Sequence, residues 1–223
     1  MLQKEAVVPE MINMIKELQG NSLFKDHILA GGTALALQLG HRTSTDIDLF
    51  TPNMQNAAAL TDHFRKNYKY ADIDTANGNF IRIYVNNIKV EMIYDDEKIL
   101  EAPINEENMR LFTMNEIAAM KLRAITGRTE ARDFIDMAYL LKEIPLGKIF
   151  ELYKKKYGMI SPLYMKRALL TKSREIKENQ WLVDIKMLRH DIIPQDVPKI
   201  IEKEIEIYNR NIGIGNQERH NSK

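Results

Sequence analysis

Apolar positions along the chain follow two different periods, and the change falls near residue 113. Before it, short runs alternate between helical and strand spacing. Ile12, Ile15 and Leu18 follow Pro9 at helical intervals, which predicts a packing helix over Val8 to Leu18. His27 to Ala30 reads as a short strand, Thr33 to Leu39 as a helix stopped by Gly40, and Asp46 to Phe50 as a second strand. Thr51 and Pro52 form a helix-start signal for Ala57, Leu60 and Phe64, a run that extends to Tyr68. Tyr70 to Thr75 and Asn79 to Val85 then predict a hairpin turning at Asn77 and Gly78, and Ile88 to Tyr94 predicts one more strand after Asn86 and Asn87.

From Thr113 onward only helical spacing recurs. Thr113 and Glu116 have capping-box spacing, and Ile117, Met120, Ala124 and Ile125 line the helix they open, with Gly127 as its stop. Thr129 is the expected cap of a helix over Glu130 to Leu141, whose Phe134, Met137, Ala138 and Leu141 form an apolar stripe. Further helices are expected at Leu146 to Tyr157, Pro162 to Glu175 and Val197 to Tyr208, with Ile212 to Lys223 as a loose tail. The expected fold class is therefore α+β: a sheet-containing core domain over residues 1–112, then an all-helical domain over residues 113–223.

Composition narrows the function classes. The 223 residues are enough to bury a real core, and 44% hydrophobic with 28% charged residues is ordinary for a globular protein. Lys and Arg number 32 against 31 for Asp and Glu, so a net charge of +1 supplies no global steering toward nucleic acid or membrane. Without cysteine there is no disulfide, thiolate metal site or thiol nucleophile. Charges interrupt every apolar run in Met1 to Gly20, so no signal peptide is expected; nor is a membrane partner, and the expected location is cytoplasmic.

Candidate chemistry concentrates in Gly31 to Phe50, GGTALALQLGHRTSTDIDLF. On a strand, residues two apart share a face, so Asp46 and Asp48 would present two carboxylates side by side while Ile47 and Leu49 enter the core. Hard divalent cations take such oxygen ligands. Gly31 and Gly32 lack Cβ atoms, so a phosphate can approach the backbone where helix amides begin, and Thr33 adds a hydroxyl as cap or phosphate contact. A glycine pair alone is usually a turn and D-x-D alone a solvated strand end; joined as G-G-T-x12-D-x-D they point to a nucleotide-and-metal site.

Two-metal transfer calls for a third acid on a neighbouring strand. Glu91, bracketed by apolar residues in K-V-E-M-I, is the candidate, either as metal ligand or as general base. The alternative is an edge-strand residue paired with Lys89 or Arg82. Asp72 and Asp74 repeat the spacing without a preceding phosphate element and read as a solvated face, and Asp95, Asp96 and Glu97 as a loop. Of the five histidines only His41, beside Arg42 in the motif loop, lies where base or phosphate contact is open to it.

A second cluster spans Glu116 to Leu141. Lys121 stands among small and apolar helix residues, where an unpaired ammonium is costly, and Arg128 falls in the turn before the next helix. Both either meet phosphate oxygens or reach solvent on their long stems. Asp133 and Asp136 are one turn apart, and Arg132 with Asp136 has the spacing of a surface ion pair. Between Lys148 and Lys177 nine Lys or Arg face two Glu, with Tyr153, Tyr157 and Tyr164 interleaved. That stretch is either a surface for RNA or an acidic protein, or a solvated helix face with tyrosines in the core.

The Gly31–Phe50 segment resembles the signature of the DNA polymerase β-like nucleotidyltransferase superfamily. With His41, Arg42, Ser44 and the D-I-D-L-F strand it looks like the AbiEii-type branch, many of whose members are toxins of toxin–antitoxin and abortive-infection systems. Lys121, Arg128, Arg132, Asp133 and Asp136 resemble that family's second pattern, with Arg132 where Lys is commoner; Glu91 stands where the superfamily commonly has Asp. The resemblance implies a polymerase β-like core with a mixed sheet and a helical domain completing the nucleotide cleft. It implies that Lys121 binds nucleotide phosphates and that Asp133 shapes the site.

The implied activity is transfer of an NMP from an NTP to an acceptor hydroxyl, with Mg²⁺, or Mn²⁺ in its place, held by Asp46, Asp48 and Glu91. Gly31, Gly32, Thr33, Arg42, Lys121 and Arg128 would hold the nucleotide. RNA such as tRNA is the expected acceptor and a cognate antitoxin the expected protein partner. The alternatives are transfer to a small molecule such as an aminoglycoside, and a non-catalytic nucleotide-binding module.

Overall fold

The computed structural model describes residues 1–181 and 185–221, apart from the side chains at 179 and 214–221. It forms two compact units, Met1–Ile117 with Ile185–Arg189, and Ala118–Asp184 with His190–Lys223. Among the described residues no helix is long and apolar enough to cross a membrane.

The first unit is built on seven strands: β1 (Ile28–Leu29), β2 (Asp46–Thr51), β3 (Ala71–Ala76), β4 (Phe80–Val85), β5 (Ile88–Tyr94), β6 (Ile104–Glu106) and β7 (Met109–Leu111). Their order is β3-β4-β5-β2-β1-β7-β6. The sheet is mixed: β2 runs parallel to β5 and β1 parallel to β7, and the other neighbours are antiparallel. Alternation decides which face is buried. Ile47 and Leu49 of β2, Val90 and Met92 of β5, and Ile81, Ile83 and Val85 of β4 are fully buried, which leaves the intervening Asp46, Asp48, Lys89, Glu91 and Arg82 on the opposite face.

Helices α1 (Pro9–Gly20), α2 (Gly31–Leu39) and α3 (Ala57–Asn67) supply Ile15, Leu18, Leu35, Leu60 and Phe64 to the core. Gly40 ends α2 in the left-handed conformation at φ 61°, the stop its position predicts. Helix α3 starts later than expected. Thr51 remains in β2, and the cap is Asn56, whose side chain accepts from the Ala59 amide.

The β6–β7 hairpin has no counterpart in the sequence reading, because three-residue strands are too short to show a period. Its turn uses Glu107 and Asn108 at φ 53° and 64°, as Asn86 and Asn87 do at 49° and 67° between β4 and β5. Buried Gln19 fixes β7 to α1, donating to the Arg110 carbonyl at 3.0 Å and accepting from its amide at 2.7 Å.

Helix α4 (Met114–Gly127) runs across the boundary between the units, five residues beyond the expected junction at 112. At its start the Glu116 amide donates to Thr113 Oγ1, the first half of the expected capping box, and the Glu116 carboxylate accepts from the Leu100 amide. The second unit continues with α5 (Ala131–Glu143), α6 (Leu146–Tyr157), α7 (Pro162–Glu175) and α8 (Val197–Asn221). Glu130, not Thr129, precedes the first turn of α5. The expected loose tail is helical: α8 continues through Asn221, and residues 222–223 lie outside the described residues. Gly and Asn lower helix propensity, but propensity is a weak prior once a helix is already running.

Candidate active site

The site begins with pairing register. Parallel pairing sets Asp46 opposite Lys89 and Asp48 opposite Glu91, and antiparallel pairing sets Glu91 opposite Arg82. Registered neighbours project from the same face, so five charged side chains share one patch of sheet. Asp46 and Asp48 leave the same side of β2, as the two-residue period predicts. Glu91 is not at an edge, since β5 lies between β4 and β2.

Each glycine of the pair makes room for one of the protein's own charged groups. A Cβ on Gly31 would lie 2.2 Å from Asp48 Oδ2, and the φ of this residue is +65°. A Cβ on Gly32 would lie 2.4 Å from an Arg42 guanidinium nitrogen. The first turn of α2 is therefore flanked by the Asp48 carboxylate and the Arg42 guanidinium, and Ala30 before it has no capping side chain. Helix amides beside a guanidinium suit a phosphate, and a nearby carboxylate suits the cation that accompanies it.

Gly31→Ala should accordingly cost at least about 1 kcal/mol of stability from the left-handed backbone alone. It should also push Asp48 aside and depress transfer more than it depresses stability. Chemical denaturation and turnover measured on one preparation check this, and an alanine variant with native stability and activity would refute it.

Thr33 and His41 are placed differently from expectation. Both are fully buried. The Thr33 hydroxyl donates to the Asp46 carbonyl and lies 2.8 Å from Ser44 Oγ. It ties α2 to the first residue of β2 and so positions the acids. Arg42 belongs to a loop braced by a segment that no sequence signal singles out, residues 185–189. Arg42 bridges to Met187, the Thr43 amide donates to the Lys186 carbonyl at 2.8 Å, and the Leu188 amide to the His41 carbonyl at 3.0 Å. His27, by contrast, lies away from the motif loop, buried with Nε2 3.2 Å from Gln55 Oε1.

Glu91 is paired with both basic neighbours, Arg82 and Lys89, that its alternative reading named. Its Oε1 accepts from Arg82 Nε at 2.7 Å, and its Oε2 lies 3.5 Å from Lys89 Nζ, which is also 3.3 Å from Asp46 Oδ2. Burial alone would lower the Lys89 ammonium, but the charges of Asp46 and Glu91 override it and hold it above the ordinary lysine value. Asp72 and Asp74 are exposed, as a solvated face requires, and Asp74 lies 3.4 Å from Arg82.

The residues fit a divalent cation at Asp46 and Asp48. Both carboxylates leave the same face of β2, two residues apart, and such oxygen donors are what a hard divalent ion takes. Among the described residues no three acids or histidines converge on one point, so Glu91 stands beside the pair rather than completing a triad.

The second cluster lies within the second unit. Lys121 Nζ is 2.8 Å from Asp133 Oδ1 and 2.6 Å from Asp136 Oδ2, all three side chains being buried. The lysine that sequence reasoning offered to phosphate or solvent is an internal counter-ion here. Asp136 likewise lies inside the unit rather than on its surface. Arg128 donates through Nε to Asp133 Oδ2 at 2.7 Å and through Nη2 to Oδ1 at 3.2 Å, while its side chain stays 61% exposed. Burial alone would raise the Asp133 carboxyl; the Lys121 charge and the Arg128 hydrogen bond outweigh it and hold the carboxyl below its usual range.

The family description "Nucleotidyl transferase AbiEii toxin, Type IV TA system" matches residues 16–203, which include both clusters. An uncharacterized protein of Aquifex aeolicus (strain VF5), aq_aa25, is 28% identical over 161 residues, 68% of this chain and 76% of that protein. Among solved structures, JHP933 from Helicobacter pylori superposes with a TM-score of 0.59 at 19% identity, covering 94% of this chain and 93% of that one. The nucleotidyltransferase toxin MenT4 (Rv2826c) of Mycobacterium tuberculosis H37Rv gives 0.54 at 13% identity, covering 87% and 80%. At such identities these likenesses establish the shared fold, an α+β nucleotidyltransferase core with a helical C-terminal part. The match over residues 16–203 goes further: the chain belongs to the AbiEii family of nucleotidyl transferase toxins, and its chemistry is nucleotidyl transfer.

Proposed function

We propose that the protein moves an NMP from an NTP to an acceptor hydroxyl on RNA, with tRNA as the leading acceptor, as the toxin of a toxin–antitoxin pair. The main support is the placement of Asp46 and Asp48 on one strand face, with the Asp48 carboxylate against Gly31 at the start of α2. Bound there, Mg²⁺ or Mn²⁺ would neutralise charge developing on the reacting phosphate and the departing pyrophosphate.

The chain's own groups do the rest. Asp46 and Asp48 hold the cation side of the site, and the amides of Gly31 and Gly32 with the Arg42 guanidinium orient the triphosphate. Thr33 keeps the acids in register with α2. Arg128, fixed by Asp133 and exposed, is the guanidinium offered to phosphate in the second unit, and Lys121 holds Asp133 in place. The acceptor oxygen attacks the α-phosphorus, the bond to the β-phosphate oxygen breaks, pyrophosphate leaves, and the hydroxyl proton passes to a carboxylate of the cluster.

An RNA acceptor is favoured by the basic stretch in and just after α6 and α7. Lys148, Lys154, Lys155, Arg167, Arg174 and Lys177 are exposed, whereas Phe150 and Tyr153 enter the core. Such a surface attracts a polyanion without help from net charge. Incubation with each α-labelled NTP, Mg²⁺ and total RNA tests the reading. Label in RNA supports it; label only in a small product favours an aminoglycoside-type acceptor; retained NTP with no transfer to any acceptor favours a binding module.

A further inference from the structure

The charged face of β2 and β5 already contains a cation. Lys89 Nζ lies 3.3 Å from Asp46 Oδ2 and 3.5 Å from Glu91 Oε2, on the same face as the aspartate pair. Arg82 takes the other Glu91 oxygen, Oε1, at 2.7 Å, so each oxygen of that carboxylate faces its own cation. The two cations differ in kind. Arg82 is a planar fork held by both Glu91 and Asp74, whereas Lys89 is a compact charge on a flexible stem with its side chain 27% exposed, free to rotate toward solvent. A divalent ion on Asp46 would share its carboxylate with an ammonium, and the two charges repel.

We propose that Lys89 is an internal counter-ion of the acid pair: it holds Asp46 in the metal-free protein and leaves it when a divalent cation binds. Metal binding is then weak until a triphosphate adds negative charge, so cation and nucleotide bind cooperatively, each tightening the other by the same factor. This role rests on the cation site proposed at Asp46 and Asp48. It differs from simple stabilisation, because a merely structural lysine would not compete with metal.

The test is Mn²⁺ affinity of the full chain measured by electron paramagnetic resonance, with the metal alone and then with α,β-methylene-ATP. Lys89→Gln should bind Mn²⁺ alone about tenfold or more tightly than wild type, and Lys89→Arg, which keeps the charge, should not. In wild type the nucleotide analogue should tighten Mn²⁺ by a factor in the range of about 5 to 150, and in Lys89→Gln by less. Equal or weaker Mn²⁺ binding in Lys89→Gln overturns the role. Should that variant not fold, Lys89→Met carries the same expectation, and equal wild-type Mn²⁺ affinity with and without the analogue is a second refutation. Asp46→Asn separates the two levels: if it leaves Mn²⁺ binding unchanged, the cation site itself is wrong, whereas binding that needs Asp46 but ignores Lys89 defeats only the counter-ion role.

Discussion

The Asp48→Asn variant is expected to lose nucleotidyl transfer by about a thousandfold or more, with its fold intact. Asparagine keeps the shape that fits against Gly31, so the helix–strand contact survives while the charge that would hold a cation disappears. Stability should change little. Asp48 opposes Glu91 in register, and removing one of two opposed like charges relieves a repulsion of up to about 1 kcal/mol, which the lost attraction to Lys89 offsets. The melting midpoint should therefore stay close to that of wild type while transfer from α-labelled NTP collapses. Parallel loss of both would mark Asp48 as structural, and retained transfer would remove it from the chemistry.

The second large effect falls on stability. Lys121→Met strips the ammonium from two buried carboxylates, Asp133 and Asp136, and breaking a buried pair by removing one partner costs about 3–5 kcal/mol. For a chain of this size that is a fall of roughly 10 °C in the melting midpoint. The pH dependence has a definite sign. The folded Asp133 carboxyl lies below its unfolded value of about 3.9, so its contribution is complete above that pH and is lost as pH falls through the lower folded value. Without Lys121 the depression shrinks, and acid unfolding should begin at higher pH than in wild type. Thermal melts between neutral pH and pH 3 check both points; a variant as stable as wild type would show that the ammonium is not needed by these acids.

Much of this architecture was legible in the residue pattern because it depends on local period. Two-residue alternation placed Asp46 and Asp48 on one face, and the expected ranges of α6 and α7, Leu146 to Tyr157 and Pro162 to Glu175, match to the residue. The hidden parts depend on partners distant in sequence. Thr33 looks like a helix-start hydroxyl, and only folding reveals the Asp46 carbonyl 13 residues away that takes it inward. The Lys121 ammonium finds Asp133 and Asp136 on the next helix, a pairing that periodicity does not encode. Residues 185–189 return from the helical part of the chain to brace the Arg42 loop, with no motif to announce it. The family resemblance pointed to both stretches of the chain, but which charge neutralises which is a matter of packing.

The central claim is that Asp46 and Asp48 hold a cation beside a triphosphate seated at the start of α2. Crystals grown with Mn²⁺ and α,β-methylene-ATP, measured at the manganese edge, address it directly. The account predicts an anomalous peak bonded to carboxylate oxygens of both aspartates, with phosphate oxygens against the Gly31–Gly32 amides. Manganese bound away from both aspartates, or a triphosphate lying elsewhere on the chain, would contradict it.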